Sequence, residues 1–238
     1  MALPMNTAQR PGLSEYEIHV WRFPLIAARQ EITSLRHWLS DDELSIASRI
    51  CSHAERDKRV VAWGRLRFIL SRYLHCAAEE IEIVRSRFGR PEIATPAHAG
   101  TQFNLSHSGS LGLVAVSRHA VGIDIERIDG GVPVDRLAQR FFTPGEADRL
   151  QRQHEGQRIE AFYRTWVLKE AHLKAHGARV PSGLSQCEIL LEGDGARLSR
   201  SDFESPVGNV LIEIPVSKGY CAAVAALQQQ ADISVLDL

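Results

Sequence analysis

Two hydrophobic periods run through this chain. Residues 16–23 (YEIHVWRF) alternate well enough for a strand. Residues 35–39 lead into Ser40-Asp41-Asp42-Glu43, a helix with a capped restart. From residue 43 to residue 74 there is no proline and one glycine. Val60, Val61, Trp63, Leu66, Ile69, Leu70 and Tyr73 recur there at helical spacing, which predicts one helix ending near Leu74. Residues 81–85 predict a short strand, residues 87–91 a Gly-Pro turn and residues 96–100 a loop.

The second half begins with a polar loop, residues 104–109, that feeds a buried strand over residues 111–116. Residues 117–120 turn the chain into a second strand, 121–127, expected to run antiparallel to the first. Residues 134–142 are helical. Thr143-Pro144-Gly145-Glu146 is a helix start, with a capping Thr, Pro at the first position and Glu at the third, and predicts a helix to about His154. Residues 159–176 form the longest late helix, stopped by Gly177. Four short strands follow, at 188–192, 196–199, 210–214 and 220–227. Helix and antiparallel strand occur in both halves with no fixed-period repeat, so the predicted class is α+β. The 117–120 turn is the candidate boundary, giving lobes at 1–118 and 119–238 that must pack tightly across so short a connection.

Composition narrows the function classes. The chain has 238 residues, 44% apolar and 24% charged, enough for one large core or two small ones. A net charge of −1 is far from the basic balance of a dedicated duplex-DNA binder. No apolar run is long enough to span a bilayer, and the first residues lack a signal-peptide pattern, so the expected location is cytoplasmic. The four cysteines lie far apart with no CxxC pair, which fits free thiols in a reducing compartment. Charge is unevenly spread. Between Arg49 and Arg90 ten Lys and Arg face five acids, a net of +5 that leaves −6 for the rest. A basic first half facing an acidic second half suits a phosphorylated ligand held with a cation; solvated helix faces give the same count.

Four segments carry candidate chemistry. In Val121-Gly122-Ile123-Asp124-Ile125-Glu126 the period of a strand puts Val121, Ile123 and Ile125 on one face and Gly122, Asp124 and Glu126 on the other. Carboxylates so spaced lie about 7 Å apart and can share a hard cation, and Gly122 leaves room beside them for a ligand. Ordinary acids on an exposed strand give the same pattern. On the late helix, Phe162, Trp166, Glu170 and Lys174 follow at i, i+4, placing Glu170 and Lys174 at the edge of the core; a simple helix-stabilising pair has that spacing too. His172 and His176 share it, but the HExxH order is absent and His172 points about 160° from Glu170, so both read as surface or packing residues. The Asn104–Gly109 stretch offers hydroxyl, imidazole and backbone N–H groups to a phosphate and has no GxSxG elbow. Arg85, Arg87 and Arg90 surround the Gly89-Pro91 turn, where Arg can clamp phosphate and Gly admits a flat ring. For both loops an ordinary solvated surface remains an equal reading.

In order, the basic helix, the GRP turn, FNLSHSG, VGIDIE and FYRTWVLKEAHLKAHG resemble the 4′-phosphopantetheinyl transferases of the Sfp type. The likeness runs from about Arg49 to Leu184 and includes the GIDIE and WxxKExxxK signatures. It implies a monomer of two similar pseudo-symmetric α+β lobes with the active site between them. The implied reaction moves the phosphopantetheine arm of coenzyme A to a serine of an apo acyl or peptidyl carrier protein and releases adenosine 3′,5′-bisphosphate. By resemblance Asp124, Glu126 and Glu170 hold Mg²⁺ and Lys174 meets a phosphate; a base must then take the carrier serine's proton, and Glu170, directly or through a metal-bound water, is the candidate. Arg56, Arg85, Gly89, Arg90, Asn104, Ser106 and His107 bind coenzyme A, with His107 at the 3′-phosphate and Arg90 where the family often has Lys. The early lysines that some members use for that phosphate have no match before Arg49. Phe141-Phe142-Thr143 lies near the carrier protein. No nucleic acid or membrane partner is implied. A non-catalytic coenzyme A or carrier-binding module and a metal-dependent phosphohydrolase are the alternatives.

Overall fold

The computed structural model describes residues 11–86, 89–94, 100–178, 180, 182–193 and 195–238. Arg87 and residues 96–99 of the expected loop lie outside them.

The elements in chain order are β1 (Glu17–Pro24), α1 (Arg29–Arg36), α2 (Asp41–Ser48), α3 (His53–Leu74), β2 (Ile83–Arg85), β3 (Pro91–Ile93), β4 (Gln102–Ser108) and β5 (Leu111–Ser117). The second half follows with β6 (Val121–Arg127), α4 (Val134–Phe141), α5 (Pro144–Gln151), α6 (Glu155–Ala175), β7 (Cys187–Glu192), β8 (Gly195–Ser201), β9 (Val210–Glu213), β10 (Tyr220–Ala226) and β11 (Asp232–Asp237). This is an α+β chain with two main sheets, ordered β11-β1-β5-β4 and β6-β10-β9, and two small hairpins, β2-β3 and β7-β8.

Alternation along the strands builds the layers. Ile18, Val20, Leu113 and Ala115 of the first sheet meet Val121, Ile123, Ile125, Ala222 and Val224 of the second in one buried cluster. The opposite faces carry the long helices. Trp21, Phe23, Val114 and Val116 pack on Ala62, Leu66, Ile69 and Leu70 of α3. Cys221, Ala223 and Ala225 pack on Phe162, Val167, Leu168 and Ala171 of α6. The order across the molecule is helix, sheet, sheet, helix.

Capping sets the helix starts. In α2 the Ser40 hydroxyl accepts from Glu43 N–H and the Glu43 carboxylate accepts from Ser40 N–H. Thr143 and Glu146 do the same for α5, with Pro144 at the first helical position. α6 stops at Gly177, whose φ of 65° returns Ala178 N–H to Leu173 O at 2.9 Å.

The structure departs from the sequence pattern at strand β3, which the turn reading of residues 87–91 does not include, and in four further places. The stretch from residue 43 to 74 is two helices, because Ser52 caps a fresh start at α3 and Arg56 holds the bend by donating twice to Ile50 O. The polar segment 104–109 is mostly strand β4 rather than a loop. β5 and β6 do not pair: β5 lies between β1 and β4, while β6 pairs antiparallel with β10. A fifth late strand, β11, runs parallel to β1 in the sheet of the first half, secured by two bonds from Arg22 to Asp237 at 2.9 and 3.0 Å.

Candidate active site

β4 and β6 are edge strands of different sheets, and they meet. No backbone ladder joins them. Side-chain oxygens of Asn104, Ser106 and Ser108 accept instead from the N–H groups of Ile123, Ile125 and Arg127, at 2.9, 3.4 and 3.0 Å. Period-two spacing makes this possible, since alternate β4 residues all face the β6 edge.

α6 lies against the face of β6 that carries Gly122, Asp124 and Glu126. A Cβ at Gly122 would stand 2.1 Å from Ala171 O and 2.4 Å from Ala175 N. The space expected there for a ligand is filled by the helix backbone, and the glycine's role is to let α6 approach. That approach brings the WxxKExxxK residues onto the acids of the strand. Lys174 Nζ is 2.5 Å from Asp124 Oδ1 and 3.3 Å from Glu170 Oε2. Ser106 donates to Asp124 Oδ1 at 2.8 Å, and Ser108 donates to Glu126 Oε2 at 2.8 Å.

Electrostatics follow from this crowding. Burial, then the Asp124 charge, push the Glu170 carboxyl up to about 7, with Lys174 pulling the other way. Burial and then Asp124 also raise Glu126. Burial works against the Lys174 ammonium, but Asp124 and Glu170 outweigh it and hold its pKa above the ordinary value. One ammonium therefore serves three carboxylates. Asp124 Oδ2 is buried without a hydrogen-bond partner. An orphaned anionic oxygen beside two carboxyls raised by burial and like charge is a donor set deficient in positive charge, and hard oxygen donors suit Mg²⁺. The residues fit a divalent cation in this respect. Among the described residues, however, no three such side chains already stand as a cation cage, and Lys174 bridges Asp124 and Glu170.

The other face of β4 borders a cavity of about 690 Å³ between α2, α3 and the β2-β3 hairpin. Leu105 and His107 line it with Arg49, Arg59, Arg85 and Trp63, and Asp42, Glu43 and Glu82 stand on its wall as well. Ser106 and His107, grouped as ligand contacts by the sequence, thus face opposite ways: the hydroxyl toward the acids, the imidazole toward the cations. Burial, then the charges of Arg59 and Lys174, drop His107 to about 4, so its imidazole is neutral near pH 7. Arg59 stacks over Trp63 at 5.3 Å; burial and then Arg85 lower its pKa. In the sequence Arg59 and Arg49 are two members of a general basic run. The spacing of Arg59 four residues before the core residue Trp63 was the available signal.

The remaining expected ligand contacts are tied to backbone. Arg90 donates to Ala175 O at 3.1 Å and Val121 O at 3.4 Å, fastening the hairpin to the end of α6 and the start of β6. Gly89 adopts a φ of 86° in the turn, and its carbonyl accepts from Arg85. Arg56 is committed to Ile50 O and Asn104 to Ile123 N–H. His172 and His176 pack against each other and against Phe203. Lys169, beside Glu170 in the signature, is fully buried and bonds Glu146 and Cys187 O.

Residues 120–225 match the 4′-phosphopantetheinyl transferase superfamily. The chain is 36% identical over 177 residues to the 4′-phosphopantetheinyl transferase HetI of Nostoc sp., covering 74% of each protein. It belongs to the 4′-phosphopantetheinyl transferases. The gsp transferase of Aneurinibacillus migulanus is 34% identical over 175 residues, 73% of this chain and 70% of the relative. Sfp of Bacillus subtilis is 29% identical over 163 residues, 68% and 70%. In this transferase β6 and all of α6 fall inside the superfamily match, whereas the cavity residues on α3 and β4 precede it.

Proposed function

We propose that this transferase moves the 4′-phosphopantetheine arm of coenzyme A to a serine of an apo carrier protein, at the β4/β6 seam. One observation carries the reading. A single strand, β4, borders a cavity bearing three arginines on one face and bonds the acids of the VGIDIE strand from the other. A ligand with a multiply charged nucleotide end and a pyrophosphate fits across those two surfaces.

In this reading Arg49, Arg59, Arg85 and His107 take the phosphorylated nucleotide, and Trp63 and Leu105 supply apolar contact. Neutral His107 donates one N–H to phosphate, and the guanidinium groups add charge-assisted bonds. Asp124, Glu126 and Glu170 would hold Mg²⁺. When bound, the cation would neutralise the pyrophosphate against the three carboxylates. Lys174 shifts from the acids toward the phosphoryl oxygens as charge builds there. Glu170 accepts the proton of the carrier serine hydroxyl, directly or through water. The serine oxygen bonds to the phosphorus that carries the pantetheine arm. The phosphoanhydride bond breaks, and adenosine 3′,5′-bisphosphate leaves with the electron pair. The carrier would dock near Phe141 and Phe142 on a monomeric, cytoplasmic enzyme of two lobes.

The test is mass spectrometry after incubation with coenzyme A, Mg²⁺ and an apo carrier protein. Transfer adds about 340 Da to the carrier serine. Glu170→Gln and Asp124→Ala should each abolish that gain while retaining part of coenzyme A binding. Free phosphopantetheine would instead show a hydrolase, and binding without product a non-catalytic module; either result overturns the proposal.

A further inference from the structure

Ser106 and Ser108 do two jobs at once. Each hydroxyl has one proton and spare lone pairs. The lone pairs accept from Ile125 and Arg127 N–H, which spends the exposed edge of β6. The single proton of each then goes to a carboxylate, Asp124 Oδ1 for Ser106 and Glu126 Oε2 for Ser108. The backbone bonds aim the hydroxyls, and the hydroxyls aim the acids. Asn104 makes the same kind of bond to the same strand edge, but Ile123 N–H is its partner and no carboxylate is attached to it. The seam thus contains its own control: three teeth of one comb, of which two hold acids.

We propose that Ser106 and Ser108 are positioning residues for the cation-binding acids, fixing which oxygen of Asp124 and of Glu126 is left to face a divalent ion. This assignment rests on the metal reading given above. It also reassigns Ser106 from contact with the nucleotide to contact with the acid cluster. Asp124 illustrates the outcome: Ser106 and Lys174 take Oδ1, and the buried Oδ2 stands without a hydrogen-bond partner. Donors that orient a ligating carboxylate commonly change metal affinity ten- to a hundredfold, about as much as activity.

The experiment is Mn²⁺ titration of the full chain, followed by electron paramagnetic resonance, with no coenzyme A and no carrier present. Ser108→Ala and Ser106→Ala should each weaken Mn²⁺ binding about tenfold. Ser108→Thr, which keeps the hydroxyl, should recover most of the loss. Asn104→Ala should lower the melting temperature and leave Mn²⁺ affinity of the folded protein within about twofold, since its bond reaches only backbone. Binding of adenosine 3′,5′-bisphosphate, a probe of the cavity, should survive both serine substitutions. Wild-type uptake of Mn²⁺ with equal uptake by both serine variants would overturn the inference alone. So would a loss in Asn104→Ala as large as in Ser108→Ala, because the comb would then act only through the seam. A wild-type chain that takes up no Mn²⁺ would overturn the cation reading and this inference with it.

Discussion

The two halves of the chain repeat one plan and use it differently. Each runs strand, three helices, hairpin and two strands, and β1-β5-β4 has the same order as β6-β10-β9. The likeness extends to a buried lock. In the first half the capping-box glutamate of α2, Glu43, pairs with Arg67 of α3 at 2.8 Å, and Arg67 also bonds Ala78 O and Ile81 O ahead of the hairpin. In the second, the capping-box glutamate of α5, Glu146, pairs with Lys169 of α6 at 2.5 Å, and Lys169 bonds Cys187 O where the hairpin begins. The next residue separates the halves. After Arg67 comes Phe68, stacked on Trp38 at 5.9 Å; after Lys169 comes Glu170, part of the acid cluster. A shared lock holds each long helix, and only α6 places an acid directly after it. The other presents Arg59 to the cavity.

Breaking the locks should give the largest effects. Lys169→Met leaves the buried Glu146 charge with backbone N–H donors but no cation, and Arg67→Met does the same to Glu43 and strips two carbonyls of their donor. Removing one partner of a buried pair costs about 3–5 kcal/mol. Chemical denaturation should place both variants in that range. If the locks are equivalent, Lys169→Met with Glu146→Gln should recover part of the stability, as should Arg67→Met with Glu43→Gln, because the amide removes the unpaired charge and keeps an acceptor for the cap. A Lys169→Met variant of wild-type stability would show that the signature lysine has another purpose.

Close approach of helices differs between the halves and gives the next effect. Gly122→Ala drives a Cβ into Ala171 O and Ala175 N, backbone atoms of α6 that cannot turn aside. Gly64→Ala, on α3, meets Leu35 Cβ at 2.7 Å and its Cδ2 at 3.0 Å. Overpacking costs about 1–3 kcal/mol, with Gly122 expected at or above the top of that range and Gly64 at the lower end. Gly122→Ala should also abolish carrier modification in whatever protein remains folded, because α6 must lift Glu170 and Lys174 from Asp124. Equal losses of stability and intact transfer would refute the view that this glycine sets the distance between helix and strand.

Much of this arrangement was legible in the sequence, and the exceptions have physical causes. Alternation along β5 and β6 identified the strands and the face carrying Asp124 and Glu126. It did not reveal their partners, because a strand beside a short turn looks the same whether it folds back on its neighbour or enters another sheet. Asn104, Ser106 and Ser108 resembled a loop because their polar groups pair with a strand edge instead of water. Gly122 suggested open space, and only the position of α6 shows that the space is taken. The signature lysine and acids were visible as letters. That Lys169 points into the core and Lys174 toward Asp124 follows from helix geometry once β6 is in place. Arg90 and Arg56 were grouped by charge with Arg85, although backbone carbonyls account for their bonds.

The effect that is smallest at neutral pH concerns one histidine from each half. Both His107 and His172 are pushed down to about 4 by burial, His107 further by Arg59 and Lys174, and His172 by His176 and Lys169. A depressed folded pKa means that the unfolded chain binds the extra proton first. Stability from this source is therefore present above the unfolded value of about 6.5 and is lost as pH falls toward 4. His172, 1% exposed, should contribute up to about 3 kcal/mol to that loss, and His107, facing the open cavity, less. His172→Asn should flatten the acid limb of a stability profile. The ligand should separate the two. A phosphate beside His107 opposes the cations that depress it, so adenosine 3′,5′-bisphosphate should raise its pKa and bind more tightly as pH falls from 7 toward 5. His172, on the α6 face that packs on Ser201 and Phe203, should not respond. Titration of the ring protons by NMR with and without the nucleotide reads both sites in one sample; a shift at His172 and none at His107 would put the anion in the wrong half of the molecule.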